Sequence, residues 1–249
     1  MTFERIIRME KKKVLLVIPA YNEAENIERV VDNLIENYPQ YDYLVINDCS
    51  TDNTEEILRR RGYHYISLPV NLGIGGAVQS GYLYGAQNGY DIVIQIDGDG
   101  QHDPAYAKDL IQPILDGQAD MVIGSRFIQK RGFQTSFLRR IGIGMIRNVI
   151  RICCGVKITD TTSGFRATSK SLTQLFAREY AQDYPEPEAI VLAELRGYHV
   201  MEVPVEMNER TGGRSSINAL RSIYYMIKVS IALFLVRIRI GKKRRKKRK

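Results

Sequence analysis

The chain has 249 residues, 44% of them apolar and 26% charged, which is enough to bury a full core and excludes a disordered polymer. Its formal charge of +8 invites a nucleic-acid reading, but residues 237–249 (RIRIGKKRRKKRK) carry ten of the Lys and Arg and no acid, leaving 26 bases against 28 acids in the other 236 residues. The body is therefore slightly acidic and the basicity is a tail, so no nucleic-acid partner is expected.

In chain order, VLLVIP (14–19) follows Lys11 to Lys13 but runs into YNEAEN without a small-residue cleavage site, so it reads as a buried strand and not a signal peptide. A helix over AENIERVVDNLIENY (24–38), a strand over YDYLVIN (41–47), a capped helix from Ser50 and a strand over YHYISL (63–68) follow. GGAVQSGYLYGAQ (75–87) and PAYAKDLIQPIL (104–115) read as helices, DIVIQID (91–97) and DMVIGS (120–125) as strands. Strand–helix alternation with Val- and Ile-rich strands predicts an α/β fold, a mostly parallel sheet flanked by helices on both faces.

Beyond residue 126 the pattern changes. A helix over FLRRIGIGMIRNVIRICCG (137–155) precedes TDTTSGFRA (159–167), to which no element is assigned, then a loop YPEPEA (184–189) and a strand YHVMEVPVEM (198–207). The last helix, Ser216 to Ile240, is apolar over much of its circumference, and it reads as an interfacial amphipathic helix ending in the polybasic tail. The organisation is thus a catalytic domain at 1–215, a membrane-interface helix at 216–240 and a basic tail at 241–249. Lys228 and Arg237 bracket VSIALFLV, so the helix can lie on an anionic membrane surface but not span it, and each tail residue near such a surface contributes roughly 1 kcal/mol. A core or oligomer helix is the competing reading, and a homo-oligomer or a small membrane-protein partner stays open. Cys49, Cys153 and Cys154 have no metal-ligand spacing, which fits a reducing cytosol.

Ligands of such sheets bind beyond the carboxyl ends of the strands, where the loops read PAYNE, NDCSTDNT, PVNLGIGG, DGDGQHD and GSRF. Asp97-Gly98-Asp99 closes a buried strand, and two carboxylates so close need a cation; hard oxygen ligands suit Mg²⁺ or Mn²⁺ bridging to substrate phosphates. Asp103 is expected instead to cap the helix that begins near Pro104. Gly73, Gly75 and Gly76 follow the third strand with GxGG spacing, and Pro19 ends the first strand, which disfavours a dinucleotide fingerprint; a Walker A sequence is absent.

PAYNEAENI (19–27), VINDCSTDNT (45–54), NLGIGGAVQSGY (71–82), DGDGQHDP (97–104), GSRF (124–127), TSGFRA (162–167) and EVPVEMNERTGGRSSI (202–217) resemble, in order and spacing, family 2 inverting glycosyltransferases of the GT-A fold, a Rossmann-like sheet. TSGFRA and the RxxGxSS element are most similar to polyprenyl-phosphate sugar transferases, the group that includes dolichol-phosphate mannose synthase. The resemblance implies that Pro19, Tyr21, Glu23, Asn71 and Gly73 line the nucleotide pocket and that Asp48 accepts a hydrogen bond from the base. Asn47 stands where family members often carry a first acid. It further implies that Asp99 ligates the metal, that Asp97 contacts the ribose, holds the loop or shares the metal, that Gln101 supports it, and that Arg126 and Arg210 pair with phosphate oxygens.

On the helix after residue 136, Arg140, Arg147 and Arg151 fall within about 40° of one another at 100° per residue, with Gly144 on the same stripe. The stripe is either a solvated basic face or a cationic lane for a lipid phosphate, with Arg140 its principal member. The implied activity is transfer of a hexose from a nucleotide sugar, UDP-linked by preference, to undecaprenyl phosphate at the cytoplasmic membrane face for cell-surface glycan synthesis. Two rival readings remain. In one, a lipid-linked hydroxyl is the acceptor and the base comes from Asp183, Glu186 or Glu188, with Glu188 favoured. In the other, the chain is a non-catalytic membrane or nucleic-acid binding module.

Overall fold

A computed structural model describes residues 12–129, 137–208 and 219–246, without the side chains of 137–141, 219–224 and 242–246. One seven-stranded sheet runs in the order β3-β2-β1-β4-β6-β5-β7. Its strands are β1 (Val14–Ala20), β2 (Asp42–Asn47), β3 (Tyr65–Ser67), β4 (Ile92–Gln95), β5 (Met121–Ser125), β6 (Arg166–Ser169) and β7 (Val200–Pro204). All neighbours are parallel except β6, which runs antiparallel to β4 and to β5.

The helices are α1 (Ile27–Asn37), α2 (Thr54–Arg61), α3 (Gly73–Gln87), α4 (Ala107–Leu115), α5 (Phe137–Cys154), α6 (Lys170–Phe176), α7 (Pro185–Arg196) and α8 (Ala219–Lys246). All seven residues of β1 are buried because both sheet faces are covered. Leu15 and Val17 point into a core shared with α3, α5, α6, α7 and α8, while Val14, Leu16 and Ile18 point into the other, with α1, α2 and α4. This is the period-two alternation of a strand divided between two cores.

Glycines in α3 serve packing. A Cβ on Gly81 would lie 2.2 Å from a Val17 methyl, and one on Gly75 would lie 2.4 Å from the carbonyl oxygen of Ala181. The GxGG run therefore lets the segment at 181–182 cross the start of the helix.

Four expectations are corrected. TDTTSGFRA, left without an element, runs into β6 inside the sheet and supplies its first two residues, and α6 follows with Ser169 accepting from Leu172 N at 3.4 Å as its cap. YPEPEA is not a loop but the first turn of α7, with Pro185 at the first position, Glu186 and Glu188 in the first turn, and Gly197 as the left-handed cap at the far end. Ser50 does not cap a helix; α2 starts at Thr54, and Ser50 Oγ accepts from Asn22 N at 3.0 Å. The last helix continues past Ile240 to Lys246, through part of the segment read as tail, and residues 216–218 of the expected helix lie outside the described residues. Asp103 does cap, accepting from Ala105 N at 2.9 Å.

Buried Val229, Leu233, Val236 and Ile240 hold α8 against α5 and α7. On the opposite side of α8, Ile227, Ile231, Phe234, Leu235 and Ile238 are exposed. Among the described residues, no helix is long and apolar enough to cross a membrane.

Candidate active site

The loops beyond the carboxyl ends of β1, β2 and β4 enclose a cavity of about 440 Å³. Its rim is built by the first two loops, which brace each other. Asn22 adopts the left-handed conformation with φ 57°, and its Oδ1 accepts from Thr51 N at 2.8 Å and Asp52 N at 3.3 Å. Glu23 N donates to Thr54 Oγ1 and Ala24 N to Asp52 Oδ2, so the residues of YNEA and STDNT lock one loop to the other. This fixes Pro19, Tyr21 and Glu23 on the cavity wall.

Asp48, only 3% exposed, also lines the cavity; its Oδ1 accepts from Leu72 N at 2.7 Å and its carbonyl from Asn71 Nδ2 at 3.1 Å, placing Asn71 and Gly73 beside it. Asn47 is fully buried, donating to Ser67 Oγ and accepting from Ser50 N. An amide at this position therefore ties the loop after β2 to the end of β3, and it does not line the cavity.

Asp97, Gly98 and Asp99 form the floor. Asp97 N donates to His102 Nδ1 at 3.0 Å, which assigns the ring proton to Nε2, 3.5 Å from Asp97 Oδ2. The imidazole stacks on Phe165 with centroids 5.0 Å apart. Asp99 Oδ1 accepts from Gln101 N at 3.0 Å, a local Asx turn that orients the second carboxylate. Gln101 does not line the cavity; its side-chain amide donates to Asn208 O.

The far wall comes from the 159–164 loop. Arg126, at the end of β5, was expected on phosphate oxygens, but its guanidinium grips Asp160 in a bidentate pair, both bonds 2.7 Å, and reaches Thr162 Oγ1 at 3.3 Å. Glu202 of β7 takes the backbone N–H groups of Thr159 and Asp160, each at 2.7 Å. Gripped from both strands, the loop presents Thr162 and Gly164 to the cavity, and a Cβ on Gly164 would lie 2.9 Å from Asp97 Oδ1. Arg166, 1% exposed, ties this loop to α7 by donating to the carbonyls of Ser163, Glu186 and Thr161.

Glu186 and not Glu188 lies on the cavity wall. Burial raises the Glu186 carboxyl above the ordinary glutamate range, the Asp97 charge adds to this, and Arg166 acts in the other direction. Glu188 is also raised by burial, and the charge it answers to is Arg239 of α8. A raised folded-state value favours folding at low pH, and the penalty for ionising the group switches on as pH rises from the unfolded value near ~4.3 through the folded value. Glu186→Gln is therefore expected to raise the melting temperature at about pH 7, with the gain fading at about pH 4. A melting series across that range checks it, and a constant offset would contradict it.

The cavity wall carries five carboxylates, Glu23, Asp48, Asp97, Asp99 and Glu186, and no lysine or arginine among the described residues. Arg210 and the side chain of Arg140 lie outside the described residues. Sequence reasoning passed over Thr162 and Gly164 as wall residues and His102 as the brace of Asp97, although Thr162 and Gly164 sit inside TSGFRA, and it ranked Glu186 behind Glu188.

An α/β sheet with its cavity beyond the carboxyl ends of β1, β2 and β4 and an acidic floor defines a class, the GT-A enzymes. Glucosyl-3-phosphoglycerate synthase from Mycobacterium tuberculosis, solved with Mn²⁺, UDP-glucose and phosphoglyceric acid, shares this fold at TM-score 0.70 and 22% identity, over 97% of this chain and 84% of that one. Residues 15–191 match the model of glycosyl transferase family 2, and the chain belongs to that family. It is a glycosyltransferase. It is 30% identical to the UDP-N-acetylglucosamine–dolichyl-phosphate N-acetylglucosaminyltransferase of Methanococcus voltae, over 80% of this chain and 86% of the relative. It is 29% identical to the undecaprenyl-phosphate mannosyltransferase of Micrococcus luteus, over 83% and 88%.

Proposed function

We propose that the protein transfers a hexose from a UDP-sugar to a polyprenyl phosphate, undecaprenyl phosphate by preference, at the cytoplasmic face of a membrane for cell-surface glycan synthesis. The observation that carries this reading is the cavity wall of five carboxylates without a lysine or arginine among the described residues. Such a wall repels a nucleoside diphosphate unless a divalent cation offsets it. Asp99 with Asp97 would hold Mg²⁺ or Mn²⁺, since such ions take one or two carboxylates and complete their shell with phosphate oxygens and water. When bound, the ion neutralises the departing diphosphate.

Pro19, Tyr21, Glu23, Asp48, Asn71 and Gly73 would hold the nucleotide on the opposite wall. Arg140 and Arg210 would meet phosphate oxygens. A lipid phosphate is already an anion near neutral pH, so attack on the anomeric carbon needs no general base. The relatives' names support this acceptor class. Undecaprenyl phosphate offered beside undecaprenol tests it: label is expected only on the phosphate, and equal labelling of the alcohol would sink the acceptor assignment.

A membrane-lying surface supports a lipid acceptor. On α8 the exposed Ile227, Ile231, Phe234, Leu235 and Ile238 share the face opposite the packed one, and on α5 exposed Met145 and Ile152 form one stripe, with exposed Arg147 and Arg151 about 100° or more round the helix. Deleting residues 241–249 removes eight basic residues. In vesicle flotation this is expected to lower binding to phosphatidylglycerol vesicles by more than about tenfold at low salt. Unchanged binding would place the attachment elsewhere.

A further inference from the structure

We propose that Glu186 accepts hydrogen bonds from the hydroxyls of the donor hexose and so restricts the donor to neutral sugars, a role that rests on reading the cavity as a nucleotide-sugar site. Glu186 lies on the same wall as Thr162 and Gly164, with the acidic floor at Asp97 and Asp99 beside it. Its position is over-determined. It sits between two buried prolines, Pro185 and Pro187, in the first turn of α7, and its carbonyl accepts from Arg166 Nη1 at 2.6 Å.

Arg166 is the cation nearest in kind to a partner, yet its hydrogen bonds run to three carbonyl oxygens, those of Ser163, Glu186 and Thr161. The Glu186 carboxylate is left facing the cavity without a side-chain hydrogen bond among the described residues. A rigidly mounted carboxylate whose hydrogen bond comes from its own backbone N–H keeps acceptor capacity for a further donor. Two more carboxylates stand on the adjacent floor, so an anionic ligand group is repelled here and a cation would take its place at Asp97 and Asp99. A neutral group rich in O–H donors fits what remains, and in a nucleotide sugar that group is the hexose.

Calorimetric titration with Mn²⁺ present tests the assignment, using UDP, UDP-glucose, UDP-N-acetylglucosamine and UDP-glucuronate as probes, with GDP and GDP-mannose in parallel. The wild type is expected to bind UDP and at least one neutral sugar nucleotide, and to bind UDP-glucuronate at least about tenfold more weakly than UDP. In Glu186→Gln the affinity for UDP should hold, the neutral sugar nucleotide should weaken by about tenfold or more, and UDP-glucuronate should recover. Glu186→Asp keeps the charge but withdraws it by one methylene, and should weaken the neutral sugar while still rejecting glucuronate. A parallel loss of UDP and sugar nucleotides would make Glu186 a structural residue. Unchanged affinities with reduced turnover would make it a base for a hydroxyl acceptor. Either result overturns the proposal, whereas a wild type that binds neither UDP nor GDP overturns the donor reading itself.

Discussion

Exchanging Asp99 for Asn is expected to lower sugar transfer by about a thousandfold or more while leaving the fold intact. The two halves of that expectation have separate causes. Asp99 is 4% exposed, and its Oδ1 accepts from Gln101 N at 3.0 Å. An Asn carbonyl oxygen keeps that turn, so the DGDG backbone should hold. What disappears is the negative charge that a hard cation requires beside Asp97. Initial rates measured across a Mn²⁺ series should stay low at every concentration if the ligand itself is lost. Asp103→Asn supplies the control, because Asp103 caps the short turn at Pro104–Tyr106 and faces Tyr38, off the cavity wall, and its variant should retain transfer within about twofold. Asp99→Asn working at the wild-type rate would remove the metal from the account.

Arg126→Ala is expected to act on stability first, by about 3–5 kcal/mol, because it leaves Asp160 fully buried and unpaired. For a chain of this size, that lowers the melting temperature by roughly 10 °C. Arg126→Lys should rescue little, since an ammonium cannot reproduce two parallel 2.7 Å bonds. Arg126→Ala combined with Asp160→Ala should be more stable than Arg126→Ala alone, the mark of a coupled pair. If Arg126 instead served a substrate phosphate directly, the melting temperature would hold and the donor KM would rise. The geometry predicts the first pattern: activity would fall with the 159–164 loop that Arg126 and Glu202 hold in place.

The first half of the chain was readable because its strands are continuous apolar runs closed by turn residues. Val14–Ala20 is buried throughout, as VLLVIPA implies, and the DGD motif sits just past the apolar run of β4. The second half resisted for identifiable reasons. Strand β6 is four residues long and begins with an arginine, so no local period announces it; its place between β4 and β5 is set by pairing across the sheet and by three carbonyls around the guanidinium. The identity of Arg126 was legible, but its partner was not, because Asp160 lies 34 residues away.

The two glutamates of YPEPEA illustrate how one missed helix misplaces a residue. Read as a loop, either can face the substrate. On a helix, positions two apart stand about 200° from each other, so Glu186 facing the cavity turns Glu188 toward α8 and Arg239. The start signals of that helix, a proline at its first position with acids behind it, were present in the sequence. They were outweighed by the turn propensity of two prolines.

In the proposed function, this cavity moves a sugar from a nucleotide to a lipid phosphate with the help of a divalent ion. Its most direct test incubates the full chain with a radiolabelled UDP-hexose panel, Mn²⁺ or Mg²⁺ and undecaprenyl phosphate in detergent, then counts the organic phase. Label is expected in the organic phase, dependent on the lipid phosphate and lost with a chelator or in Asp99→Asn. Label that stays in the aqueous phase for every UDP- and GDP-sugar tried, or lipid labelling indifferent to the chelator, would contradict it.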